Sequence, residues 1–179
     1  MRKKSREMDA SFALEVFAKA PFVTVCFSKP DGSPYGVPLN LVATDDKTFY
    51  FHCAPDGEKL DCIAANPVVH LSAVSRCKPT VGPKDGSFTL EYRSAMAVGK
   101  AEMVTDVAEK VEALRAICVR FLPQHMDAFE AAVARSIGRT AVVRITLTEP
   151  PTGKRKEYDR NGEEMKWGTS VLLSTVPST

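Results

Sequence analysis

Six stretches of the chain are short, apolar and rich in β-branched or aromatic residues, and helices do not alternate with them one for one. They cover residues 22–27, 35–44, 48–53, 68–75, 88–104 and 140–148. Such runs, bounded by Gly, Pro and Asp, read as strands. The first three follow one another across tight polar turns, Pro30-Asp31-Gly32 and Asp45-Asp46-Lys47, which indicates an antiparallel meander. A doubly wound parallel sheet needs a helix between successive strands, so the pattern argues against it. A mainly β fold, a small antiparallel barrel with helices at its ends, fits better. Gly99, inside the fifth run, predicts a bulge or bend of the kind that turns a barrel corner. Residues 76–87, with Pro79, Gly82, Pro83 and Gly86, read as a loop.

Four segments carry helical signals. Residues 9–20 can be capped by Asp9 or Ser11, show an apolar face of Phe12, Val16, Phe17 and Ala20, and stop at Pro21. Residues 58–65 form a short helix closed by Asn66-Pro67. Residues 105–121 have Asp106 and Glu109 at the start and Val107, Val111, Leu114, Cys118 and Phe121 at helical spacing. Pro123 separates these from a last helix over 124–137, ended by Gly138.

With 179 residues, the chain is expected to form a single domain, its core at about 10–150 and a polar tail over 151–179 that is a packing or an interface segment. A formal charge of +2 argues neither for nor against nucleic acid, and none is expected as a partner. Two basic clusters, Arg2 to Arg6 and Lys154 to Lys156, read as solvated flanks. No apolar run reaches the roughly 20 residues of a membrane-spanning helix. The basic N-terminus lacks the apolar stretch of a signal peptide, so cytoplasm is the expected location. Cys26, Cys53, Cys62, Cys77 and Cys118 form no C-x-x-C pair and read mostly as small core residues. Together with His52, His70 and His125 they show no metal-ligand spacing.

The most informative chemistry lies between Tyr50 and Leu60. A strand ends, Ala54 and Gly57 let the backbone turn, and a helix begins with Lys59 in its first turn. Unpaired N–H groups and the positive dipole end make such a turn an anion site, and a lysine adds a full charge. The same residues also suit an ordinary strand-to-helix junction. Neither a P-loop nor a Gly-x-Gly-x-x-Gly motif is present. Upstream, Pro38 inside a strand implies an edge or a bulge; the backbone groups it frees, with the Asn40 amide, either meet a flat heteroaromatic ring or mark an ordinary irregular edge strand. Arg93 and Ser94 can donate to a phosphate or face a subunit interface. His52 is either a structural histidine or a proton carrier.

Taken together, Tyr35-Gly36-Val37-Pro38-Leu39-Asn40, Phe49-Tyr50-Phe51-His52-Cys53-Ala54, Gly57-Glu58-Lys59-Leu60-Asp61, Asn66-Pro67, Tyr92-Arg93-Ser94 and Val98-Gly99-Lys100-Ala101 resemble, in order and spacing, the 5-nitroimidazole antibiotic resistance proteins. These are relatives of pyridoxamine 5′-phosphate oxidase. The resemblance spans about residues 10–150. It implies a six-stranded antiparallel Greek-key split β-barrel with peripheral helices, and a homodimer with FMN at the subunit interface. It implies flavin contacts at Val37, Pro38, Leu39 and Asn40, and phosphate-side contacts at His52, Cys53, Ala54, Lys59 and Ser94. His52 matches the family's active-site histidine, and Trp167 matches an aromatic residue that closes the pocket. Cys53 stands where the family more often has serine. The implied activity is flavin-dependent reduction of a small organic acceptor such as a nitroaromatic. Alternatives are oxidation of pyridoxamine phosphate, a non-catalytic flavin-sensing module, or use of a deazaflavin or haem, with haem least favoured.

Overall fold

The computed structural model describes residues 3–82, 86 and 88–166. The strands are β1 (Glu7–Met8), β2 (Val23–Ser28), β3 (Pro34–Leu39), β4 (Val42–Ala43), β5 (Thr48–Cys53), β6 (Val68–Val81), β7 (Phe88–Met103), β8 (Ala141–Leu147) and β9 (Thr152–Lys156). The helices are α1 (Ala10–Lys19), α2 (Glu58–Ala65), α3 (Val107–Phe121) and α4 (Phe129–Ser136). The expected class holds: a mainly antiparallel sheet with helices at its periphery, although it has more strands than the six runs foretold. The chain falls into two compact units, and β6 and β7 each contribute to both.

The first unit contains the residues up to Ala20, Ala73–Met96 and those from Pro151 onward. Here β9 pairs antiparallel with β7, from Tyr92 opposite Lys156 to Met96 opposite Thr152, and also with β1. Asp9 is the cap of α1, its carboxylate accepting from the Phe12 N–H at 2.9 Å. The helix buries Phe12, Ala13, Val16 and Phe17. Its close approach to β9 requires a glycine: a Cβ on Gly153 would lie 2.5 Å from Phe12 Cδ1. The basic run Lys154 to Lys156 is thus not a solvated flank but a half-buried strand. The segment expected as a loop is in part a continuation of β6 as far as Val81; positions 83–85 and 87 lie outside the described residues.

The second unit contains Pro21–Ser72 and Ala97–Pro150. Its strand order is β3-β2-β6-β7-β8-β5-β4, so β5 lies between its sequence neighbour β4 and the distant β8. The run expected as one strand over 35–44 is two. β3 pairs with β2, and after a corner at Asn40-Leu41 the chain pairs with β5 as β4. The corner is pinned by Asn40 Nδ2, which donates to the Pro21 carbonyl at 2.9 Å, and by Arg120, which donates to the Leu41 carbonyl. Gly99 has no left-handed backbone; it is small because a Cβ would meet the Thr146 carbonyl at 2.9 Å and Ile145 Cγ2 at 2.8 Å.

Under α3 and α4 lies an apolar cluster of Val42, Tyr50, Leu114, Ile117, Phe129 and Val142. A polar clasp holds α3 to the sheet. The Tyr50 hydroxyl donates to Glu109 at 2.9 Å, and Arg144 bridges Glu109 at 2.5 Å and Glu102 at 2.7 Å. Burial and the Glu109 carboxylate both push the Tyr50 hydroxyl pKa up. Tyr50→Phe is expected to cost about 1 kcal/mol in chemical denaturation, since Glu109 keeps its Arg144 partner. An unchanged midpoint would mean that the clasp contributes nothing. The last expected helix, 124–137, is shorter than foreseen, because Pro123 starts a 3-10 segment in which His125 has non-helical angles. Among the described residues, no helix is long and apolar enough to cross a membrane.

Candidate functional site

The junction between β5 and α2 is built as its residue types require. β5 ends at Cys53, three residues cross to Gly57, and α2 starts at Glu58. Gly57 has φ of +123°, which a side chain would strain, and no atom lies within 4 Å of the position its Cβ would take. The space before the helix is therefore open. No side chain caps α2. The Leu60 N–H already donates to the Gly57 carbonyl at 2.8 Å, so the Glu58 and Lys59 N–H groups and the positive end of the dipole are what the turn offers an anion.

Two lysines supply the charge. Lys59 is half-buried in the first turn and makes no ion pair among the described residues. Glu58, in the same turn, would repel an anion, but Lys29 holds it at 2.6 Å. Lys29 also sits 5.3 Å over the Tyr35 ring of β3. The turn between β2 and β3 is thereby drawn to the start of α2. Lys29 was not foreseen from sequence as part of the site; its position beside the Pro30-Asp31-Gly32 turn was the available signal. Cys53 is half-buried, and burial pushes its thiol pKa up, against a smaller lowering by the Lys59 charge. It faces the site as a neutral thiol at neutral pH, a weak donor.

β3 lies at one end of the strand order. Pro38 is exposed and opposite Thr24, while Val37 and Leu39 are half-buried. At an edge the missing proline N–H leaves no ladder partner unsatisfied. The Asn40 amide is committed to the corner through its NH₂ group, leaving its oxygen as the acceptor it can offer.

His52 and Cys53 are adjacent on one strand, so their side chains leave it on opposite faces. The imidazole lines a hollow with Leu114, Ile117 and Phe129 on the helix side of β5. Cys53 faces the other way.

Residues 9–154 match the family model described as pyridoxamine 5'-phosphate oxidase. The chain belongs to the pyridoxamine 5′-phosphate oxidase family. Solved structures share its fold. A candidate 5-nitroimidazole antibiotic resistance protein from Bacteroides thetaiotaomicron is 22% identical, with 83% of this chain and 87% of that chain covered and a TM-score of 0.68. The flavocytochrome Anf3 from Azotobacter vinelandii is 19% identical over 97% and 88%, with a TM-score of 0.72. An FAD-binding protein from Mesorhizobium loti is 23% identical over 85% and 98%, with a TM-score of 0.60. A comparison with curated protein sequences finds no match.

This member of the pyridoxamine 5′-phosphate oxidase family distributes its other expected site residues differently. Val37, Pro38, Leu39, Asn40, His52, Cys53, Ala54 and Lys59 all belong to the second unit, whereas Ser94 belongs to the first, half-buried on β7 opposite Lys154. Its neighbour Arg93 is engaged by Glu157 through Nε at 2.8 Å. Trp167 lies outside the described residues.

Proposed function

We propose that this chain binds FMN and uses it to reduce a small organic acceptor, with a nitroaromatic such as a 5-nitroimidazole as the acceptor to try first. The observation that carries this reading is the open turn at Gly57, flanked by Lys59 and by Lys29 neutralising Glu58. A phosphate fits there. Lys59 would supply a charge-assisted contact, and the first N–H groups of α2 would add directional donors. Ala54 is small enough to let a ligand approach the backbone, and Cys53 presents its thiol. The β3 edge from Val37 to Asn40 would offer backbone groups to the polar rim of a flavin ring. FMN, when bound, supplies the hydride or electron chemistry.

The rest of the reading follows the family resemblance. The protein would act in the cytoplasm as a homodimer, one single-domain subunit per cofactor, with Ser94 and Trp167 completing the pocket at the interface. His52 would carry a proton only to an acceptor reaching the helix side of β5, where its ring lies.

FAD is the second reading, favoured by the FAD-binding relative of the same fold. The test is direct. Purified protein is expected to be yellow and to release FMN, identified by mass. Release of FAD would replace one cofactor by the other. Colourless protein that takes up neither in titration would overturn the flavin reading. Flavin binding without turnover of nicotinamide cofactor, pyridoxamine phosphate or any acceptor would mark a sensing module.

A further inference from the structure

On the far side of β5 from Cys53, α3, α4 and the ends of β5 and β8 border a half-open hollow of about 190 Å³. Its walls are Leu114, Ile117, Phe129 and Val133, with Cys118 beside them. A cavity of roughly 150 Å³ with similar Leu, Ile and Phe walls holds a benzene ring. Space and lining therefore suit a single six-membered ring. No Asp, Glu, Lys or Arg lines the hollow. An ionised group set against these walls would give up part of its hydration and gain no counter-charge from them, so the occupant is neutral.

The polar groups of the wall narrow the chemistry. Ser136 donates its hydroxyl hydrogen to the Ala132 carbonyl at 2.9 Å, and Thr140 donates its own to the Ser136 carbonyl at 2.9 Å. With those hydrogens spent, both oxygens can only accept. A ligand must bring a donor to meet them. His52, exposed at the rim, makes no hydrogen bond among the described residues, and its ring nitrogens remain available to the same ligand group. A hydroxyl satisfies both sides: it donates to a wall oxygen and accepts from an imidazole N–H.

We propose that this hollow is a binding site for a neutral single-ring alcohol, with phenol as its simplest representative. The site lies wholly within the second unit and does not rest on flavin binding.

Calorimetric titration of the full chain with phenol, toluene and benzoate tests it. Phenol is expected to saturate one site with a dissociation constant on the order of 1 mM or tighter. Toluene, which lacks the hydroxyl, should bind roughly threefold to tenfold more weakly, and benzoate should show no saturable heat. Ala132→Phe, at an exposed rim position, should abolish binding of both neutral ligands while circular dichroism stays unchanged. Thr140→Val should bring phenol down to the affinity of toluene and leave toluene as it was. The proposal fails if phenol shows no saturable binding, if benzoate binds as well as phenol, or if phenol binding survives unchanged in both variants.

Discussion

Replacing Glu157 by Gln is expected to lower the melting temperature by roughly 5–15 °C, the largest effect of any single substitution considered for this chain. Glu157 is 4% exposed, just beyond the end of β9. Arg93 donates to it at 2.8 and 3.3 Å, Arg76 at 3.2 Å, and Arg155 also binds it. A neutral amide would leave these guanidiniums without their shared anion. Removing one partner of a buried ion pair costs about 3–5 kcal/mol, and the half-exposed Arg76 side chain brings the expectation here to about 2–4 kcal/mol.

The loss also depends on pH. Burial pushes the Glu157 carboxyl pKa up, but hydrogen bonds and charge from Arg93 and Arg155 outweigh this and hold it below the ordinary carboxylate range. Its stabilisation is therefore fully present above the unfolded-state carboxyl pKa and is lost as pH falls through the lowered folded value. Thermal melts of wild type and Glu157→Gln should differ most near neutrality and converge in acid. Equal melting temperatures at pH 7 would show that the arginines are held by something else.

Glu157 also illustrates where sequence reading stops. A lone acid after Lys154-Arg155-Lys156 looks like part of a solvated flank. Its partners Arg76 and Arg93 are 81 and 64 positions away, and only the fold brings them to it. β9 is hidden for the same reason: Thr152–Lys156 has no apolar alternation, and it is a strand because β1 and β7 pair with it. By contrast α2 falls on the residues expected, because Gly57 and Asn66-Pro67 are local start and stop signals. The corner at Asn40-Leu41 depends on Pro21 and Arg120, distant residues with no local trace. The junction from β5 to α2 was legible since its parts are contiguous. The orientation of His52 was not, because which face of β5 meets α3 depends on pairing with β8.

Replacing Lys59 by Ala should weaken FMN binding by about 1–3 kcal/mol, roughly 5- to 150-fold, through loss of a charge-assisted phosphate contact. The half-buried lysine makes no ion pair among the described residues, so the fold should keep its melting temperature. Riboflavin, which lacks the phosphate, separates this reading from a general loss of the pocket. Its affinity should be the same for wild type and variant. The FMN difference should also shrink as salt rises, since the site is open to solvent. Lys29→Ala should act in the same direction by a different route, because it releases Glu58 beside the phosphate. Cys53→Ser should act in the opposite direction, tightening FMN by about 0.5–1.5 kcal/mol, as a hydroxyl donates better than the half-buried neutral thiol. If FMN affinity is unmoved by Lys59→Ala, the phosphate is held elsewhere. If riboflavin weakens in parallel, Lys59 supports the pocket rather than the phosphate. Only a loss confined to FMN, with Cys53→Ser moving the other way, assigns the phosphate to the turn at Gly57.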